Sequence, residues 1–277
     1  MPFSPFTAAS LPDEAAKGRL NATISPTNSR LLLQSRFFYQ PTHRNDTMQN
    51  DVYDYTNPAA GVQRSTVLRK TYGLLALSFI PCALGAFAAA ASNFNVYALT
   101  GNRWAGFIAV LAFFYGMVFL IEKNRYSNVG AGLLMVFTFG MGALLAPLLQ
   151  YSLSIQGGAG LVGTAALMTA AIFGVMSVTG AKANINSNSL GRFLTIGGIV
   201  LMIAVVANFA FGIPMLGLAI SGAFVVFSSL VIMWQTRVVV EGGEDSHISA
   251  ALTIFISIYN LFTSLLRILL AFAGSDD

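Results

Sequence analysis

Groups able to move protons or hold metals are scarce in this chain. Its 277 residues include two histidines, one cysteine and eleven acids. His43 lies in a polar N-terminal stretch, and His247 lies in a short polar segment between two apolar runs. No two carboxylates stand at a spacing suited to paired acid–base work. No His, Cys, Asp or Glu set has metal-ligand spacing, and no nucleophile has a base beside it. Cys82 stands alone, so no disulfide can close within the chain. Its apolar surroundings suit a small packing residue. Serines are plentiful, but a serine in an apolar helix more often donates to its own backbone than attacks a substrate. Proteolysis by a serine deep among apolar helices would also need a histidine there, and none is so placed. These residues predict a protein that is not an enzyme, with no catalytic residue, no metal and no cofactor.

The elements that would position such groups are apolar. The chain is 55% hydrophobic and only 9% charged, where a soluble domain carries about 25% charge. That little charge cannot cover a soluble surface, so the class is a polytopic membrane protein. The stretch 218–272 shows the pattern most clearly. Two long apolar runs flank one polar turn holding Arg237, Glu241, Glu244, Asp245 and His247. About 20 apolar residues at 1.5 Å rise suffice to cross the hydrocarbon core. Seven such runs follow one another, near 72–91, 104–121, 129–149, 158–179, 193–211, 215–234 and 248–272. They are continuous rather than alternating, which selects helices over a barrel. The expected fold is an all-α, seven-transmembrane helix bundle occupying residues 71–273.

Loop charge predicts the orientation. Arg64, Arg69 and Lys70 before the first span fall on one side with Lys123, Arg125, Lys182, Arg192 and Arg237. The other side has Arg103 and, near the end of the last span, Arg267, which can snorkel outward. The positive-inside rule then places the N-terminus in the cytoplasm and the C-terminus on the other side of the membrane. The net charge of +4 is spread along the ends of apolar runs, which argues against nucleic acid as a partner and for membrane lipid.

Residues 1–70 are rich in Ser, Thr, Pro, Asn and Arg and are expected to form a disordered cytoplasmic tail. Translation starting at Met48 would remove residues 1–47 from it. Mass spectrometry of the native N-terminus decides the point, and a peptide containing Phe37 and Phe38 would exclude the later start. Within the spans or at their edges, Asn208, Gln235, Ser257, Tyr259 and Asn260 are the candidate polar core. They either line a conduit or hydrogen-bond between helices, since polar groups in hydrocarbon are costly unless paired. Gln235, near the end of the sixth run, has water as a further outlet. The pairs Gly85/Ala89 and Gly217/Ser221, each four residues apart, suit close packing of helices within one bundle, with a dimer face as the alternative.

The segment MWQTRVVVEGGEDSHISAALTIFISIYNLFTSLLRIL, with RSTVLRKTYGLLALSF earlier and LLAPLLQ at the end of the third run, resembles the Bax inhibitor-1/YccA family. The resemblance covers roughly residues 60–273 and is closest to the YccA-like branch. It implies a Bax-inhibitor type bundle. Many members resemble a pH-sensitive calcium leak built on one acid in the sixth span and another in the seventh. Gln235 and Ser257 stand at those positions and neither ionises, which puts a proton switch or calcium site in doubt here. The YccA-like branch implies a modulator, an inhibitor, of the membrane-anchored ATP-dependent protease FtsH. The resemblance further implies that the protease engages the cytoplasmic tail while the bundle resists extraction. Tyr53, Tyr55, Arg64, Arg69 and Lys70 are then the candidate tail contacts. A calcium-leak channel or small-solute transporter stays open as the alternative.

Overall fold

Five of the helices begin where a residue can satisfy or dispense with the unpaired N–H groups of a first turn. Side-chain oxygens of Asn102, Ser127, Asn186 and Ser246 accept from the backbone of Trp104, Gly130, Ser189 and Ser249. Pro214 opens another helix at a position where no N–H is needed. The computed structural model describes residues 58–274. They form α1 (Pro58–Ala91), α2 (Val96–Thr100), α3 (Arg103–Lys123), α4 (Asn128–Ser154), α5 (Gly158–Lys182), α6 (Ser187–Phe211), α7 (Pro214–Glu241) and α8 (His247–Ala273). All but α2 are long and apolar enough to cross a membrane, and they correspond one to one with the seven expected runs.

The differences lie at the edges. Residues 58–70, read from sequence as the end of the tail, are helical and continue into the first span. The short α2 has no counterpart among the expected runs. α7 continues past 234 to Glu241, because Arg237 Nε donates to Glu241 Oε1 at 2.6 Å one turn on. Gly242 then ends the helix in the left-handed region at φ 81°, where glycine carries no steric penalty. So Arg237 and Glu241 belong to a helix and His247 opens the next, leaving 242–246 as the turn. Gln235 is buried rather than reaching water.

α8 is the hub of the bundle, packing against α1, α3, α4, α5 and α7. It buries Leu252, Ile254, Phe255, Leu261 and Leu266 against Phe137 and Leu134 of α4 and Leu75 of α1. α6 packs chiefly on α7, and α3 reaches it through side chains at Phe209. The α1–α4 contact brings backbones together at two glycines. A Cβ on Gly85 would overlap the Phe139 carbonyl, and one on Gly142 would overlap the Cys82 carbonyl. Ala89 and Ser221 are buried, and a Cβ on Gly217 would sit 3.2 Å from the Asn208 amide nitrogen. The two small-residue pairs thus pack inside one bundle.

Alternation of the long helices gathers the turns at 124–127, 183–186 and 242–246 at the end where α1 begins. Residues 92–102, 155–157 and 212–213 lie at the far end.

Candidate functional site

At the first end, charge ties the turns together. Gly242 and Gly243 donate back to the last carbonyls of α7, Gly243 to Val238 at 2.9 Å, and this reversal delivers Glu244 and Asp245 toward the α3–α4 turn. Arg125 in that turn reaches three acids. Its Nη2 donates to Glu244 Oε1 at 2.6 Å and lies 3.4 Å from Asp245 Oδ1, and its Nη1 lies 3.5 Å from Glu122 Oε2. The Tyr126 hydroxyl donates to Asp245 at 2.9 Å. Ser246 Oγ donates to the Arg125 carbonyl at 2.7 Å, and Ser249 Oγ donates to Glu122 at 2.9 Å. Burial pushes the Glu244 carboxyl above its ordinary value; the Ser246 N–H and Arg125 pull against that. A second tie holds α6 to α7. Ser187 donates to Glu241 at 2.5 Å, and Trp234 Nε1 donates to the Ser187 carbonyl at 3.0 Å.

A polar seam runs inward from this clamp. Ser249, Thr253, Ser257, Asn260, Ser264 and Arg267 recur at spacings of three and four, so they share one face of α8. On α7, Ser221, Ser228 and Gln235 recur every seven residues, and all three are buried. Two seam hydroxyls donate within their own helix, Ser257 to Thr253 and Ser221 to Gly217, as the neighbouring Thr263 does to Tyr259. Such back-bonding satisfies a hydroxyl in an apolar bundle without a partner helix. Ser228 Oγ is a buried exception, with no partner among the described residues.

The seam opens at the far end into a cavity of about 390 Å³ among α3, α4, α6, α7 and α8. Tyr259, Asn260, Thr263, Ser264 and Arg267 form its polar side, and Ser221 joins them from α7. Pro147 also lines it, where the missing proline N–H interrupts the α4 ladder. A second cavity, about 520 Å³ and almost wholly apolar, lies among α1, α4, α5 and α8, with Tyr259 on its wall too.

The expected polar core is therefore divided. Tyr259 and Asn260 meet in the far-end cavity. Gln235 and Ser257 are buried outside it. Asn208 sits over Gly217 between α6 and α7, with its Oδ1 buried and unpartnered among the described residues. Tyr53 and Tyr55 lie outside the described residues; Arg64 falls on α1, and Arg69 and Lys70 are exposed there. Sequence reasoning missed the Arg125 clamp as a unit, and it missed Ser221, Ser228, Ser249 and Ser264 as seam residues. Their spacing of three, four and seven was the available signal. Among the described residues no group of three or more His, Cys, Asp or Glu is placed to hold a metal ion; the acids that gather do so round an arginine.

This geometry defines a multi-pass helical membrane protein organised round a polar-faced central helix. The family model described as "Inhibitor of apoptosis-promoting Bax1" matches residues 64–274, and the chain belongs to that Bax inhibitor-1 family. An uncharacterised protein of Neisseria meningitidis serogroup A is 62% identical over 229 residues, 83% of this chain and 100% of that one. An uncharacterised protein of Pseudomonas aeruginosa is 38% identical over 232 residues, again 83% and 100%. The modulator of FtsH protease YccA of Escherichia coli is 36% identical over 210 residues, 76% of this chain and 91% of that one. A second Escherichia coli relative carries the name inner membrane protein YccA, and this chain is likewise a multi-pass inner-membrane protein.

Proposed function

We propose that this chain modulates a membrane-anchored ATP-dependent protease of the FtsH type, slowing its attack on other membrane proteins. The observation that carries this reading is the 36% identity to a protein named as such a modulator, along 91% of that protein's length. The clamp supports it physically. Arg125 ties the α3–α4 turn to the α7–α8 turn, so pulling on one hairpin loads the others. Extracting seven apolar helices from lipid is costly, and a protease engaged on such a chain is held unproductively.

In this reading the N-terminus and the clamp face the cytoplasm, as the basic residues at that end favour. Residues 1–70 provide the segment the protease engages, with Tyr53, Tyr55, Arg64, Arg69 and Lys70 as contacts. The test is the half-life of an unassembled membrane substrate of the protease in bacterial cells, with and without this chain overproduced. A longer half-life, with the chain co-purifying with the protease, is expected. An unchanged half-life would remove the proposal. Deleting residues 1–57, which stops where α1 begins, should abolish the effect while leaving the bundle folded.

The far-end cavity and the seam favour a second reading, a conduit for a small solute or ion, with Asn208, Gln235, Ser257, Tyr259 and Asn260 as its polar core. Solute flux in liposomes that Gln235→Ala abolishes would establish it. An impermeable liposome would leave the modulator alone.

A further inference from the structure

We propose that the far-end cavity binds one anionic phospholipid of the surrounding bilayer, with its phosphate on Arg267 and one acyl chain in the apolar part of the cavity. The argument starts from charge. Arg267 is the one charged side chain on the cavity wall, and it forms no ion pair among the described residues. A cation inside a membrane span is costly unless a counter-charge is supplied. The wall offers it no acid, so the site favours an anion and disfavours a metal cation.

Depth comes next. Arg267 lies six residues before the end of α8 at Ala273, which is about 9 Å along the axis. From there its side chain reaches the phosphate level of the adjacent leaflet. Asn260 lies two turns, about 10 Å, deeper on the same face of α8, at the level of an acyl chain rather than of the headgroup. The wall opposite this polar side is largely apolar, with Phe107, Leu111 and Phe114 from α3 and Met202 and Val205 from α6. A volume near 390 Å³ falls in the range of ligand pockets and suits one chain, with the second chain left in the bilayer.

Access is lateral. α3 packs on α2, α4 and α8, and α6 packs chiefly on α7, so the two helices flank the cavity and meet only through side chains. They are strapped at the far end. Arg103 donates to the Phe209 carbonyl, and its guanidinium lies 4.5 Å from the centre of the Phe209 ring. Trp104 and Phe107 pack on the same ring. A lipid enters between α3 and α6, beneath this strap.

The experiment uses the full chain purified in a neutral detergent, titrated with phosphatidylglycerol, phosphatidylcholine, oleate or inorganic phosphate, and read by native mass spectrometry. Wild type should retain one phosphatidylglycerol at about five- to tenfold lower concentration than phosphatidylcholine, the scale of one arginine–anion contact. Arg267→Gln should erase that preference, and Arg267→Lys should keep most of it. Leu111→Trp, which fills the apolar wall, should weaken both lipids and gives a readout independent of the arginine. Equal retention of the two lipids by wild type would overturn the proposal. So would a preference that survives Arg267→Gln, binding of oleate in place of phosphatidylglycerol, or displacement of the lipid by millimolar inorganic phosphate.

Discussion

The two ends of the bundle are joined by opposite means. At the first end Arg125 gathers Glu122, Glu244 and Asp245, and serine hydroxyls fill the gaps between turns. At the far end a single arginine, Arg103, bridges α3 to α6 through one carbonyl and one ring, and a cavity remains open beneath it. The first end couples elements far apart in sequence, such as Arg125 and Glu244, 119 residues apart. The far end holds α3 to α6 only through side chains gathered on Phe209. In a helix bundle whose lipid-facing surfaces give little drive to associate, polar ties of this kind decide which helices move together. The contrast predicts a rigid end and a pliant end, with the polar seam of α8 running between them.

The most severe challenge to that contrast is removal of the clamp. Arg125→Ala leaves Glu244 half-buried beside Glu122 and Asp245 without a counter-charge. Charged hydrogen bonds in partly buried sites and the cost of an abandoned carboxylate together set the loss at about 2–4 kcal/mol. A drop of several degrees in the thermal midpoint of the detergent-solubilised protein is expected, with faster proteolysis at the 242–246 turn. A midpoint unchanged from wild type would mean that the acids are already well solvated and the end is not rigid.

Arg103→Ala makes the reciprocal test with a smaller effect. It removes one hydrogen bond and one exposed cation–π contact, about 0.5–1 kcal/mol for the latter. Hydrogen exchange should rise in the first turn of α3 and the last turn of α6 and stay constant at the first end. A destabilisation as large as that of Arg125→Ala would dissolve the distinction between the ends.

Much of this was legible in the sequence, for a physical reason. A span must present about 20 apolar residues whatever its neighbours do, so all seven appear as runs. α2 has five residues, too few to leave a periodic signal. The extension of α7 rests on the Arg237–Glu241 pair and on Gly242, both readable at spacings of four and one. Residues 58–70 carry no apolar run, so their continuation into α1 could not be seen from hydropathy. The candidate polar residues show the limit more sharply. Asn208 and Asn260 stand in similarly apolar sequence, yet one lies over Gly217 and the other faces a cavity. That difference depends on which helix lies opposite, and α6 has α7 as its main neighbour. The Arg125 clamp was hidden for the same reason, since its partners come from two turns distant in the chain.

The finest probe of the clamp is its acid dependence. Burial raises the Glu244 carboxyl above its ordinary value, so the fold holds that proton more tightly than the unfolded chain does. The stabilisation from this preference is fully present below the ordinary carboxylate value, and it is lost as pH rises through the raised one. Wild type should therefore show a component of its thermal midpoint that falls as pH rises above the ordinary carboxylate range. Glu244→Gln has no proton to lose there, and its profile should be flatter over the same interval by an amount smaller than either arginine effect. The glutamine still accepts from the Ser246 N–H that now bonds Glu244 at 2.9 Å, so the turn keeps its shape and the comparison isolates the charge. If Glu244→Gln instead kept the slope of wild type, the acid dependence would not come from Glu244, and the half-buried carboxylate at the centre of the clamp would not set its pH response.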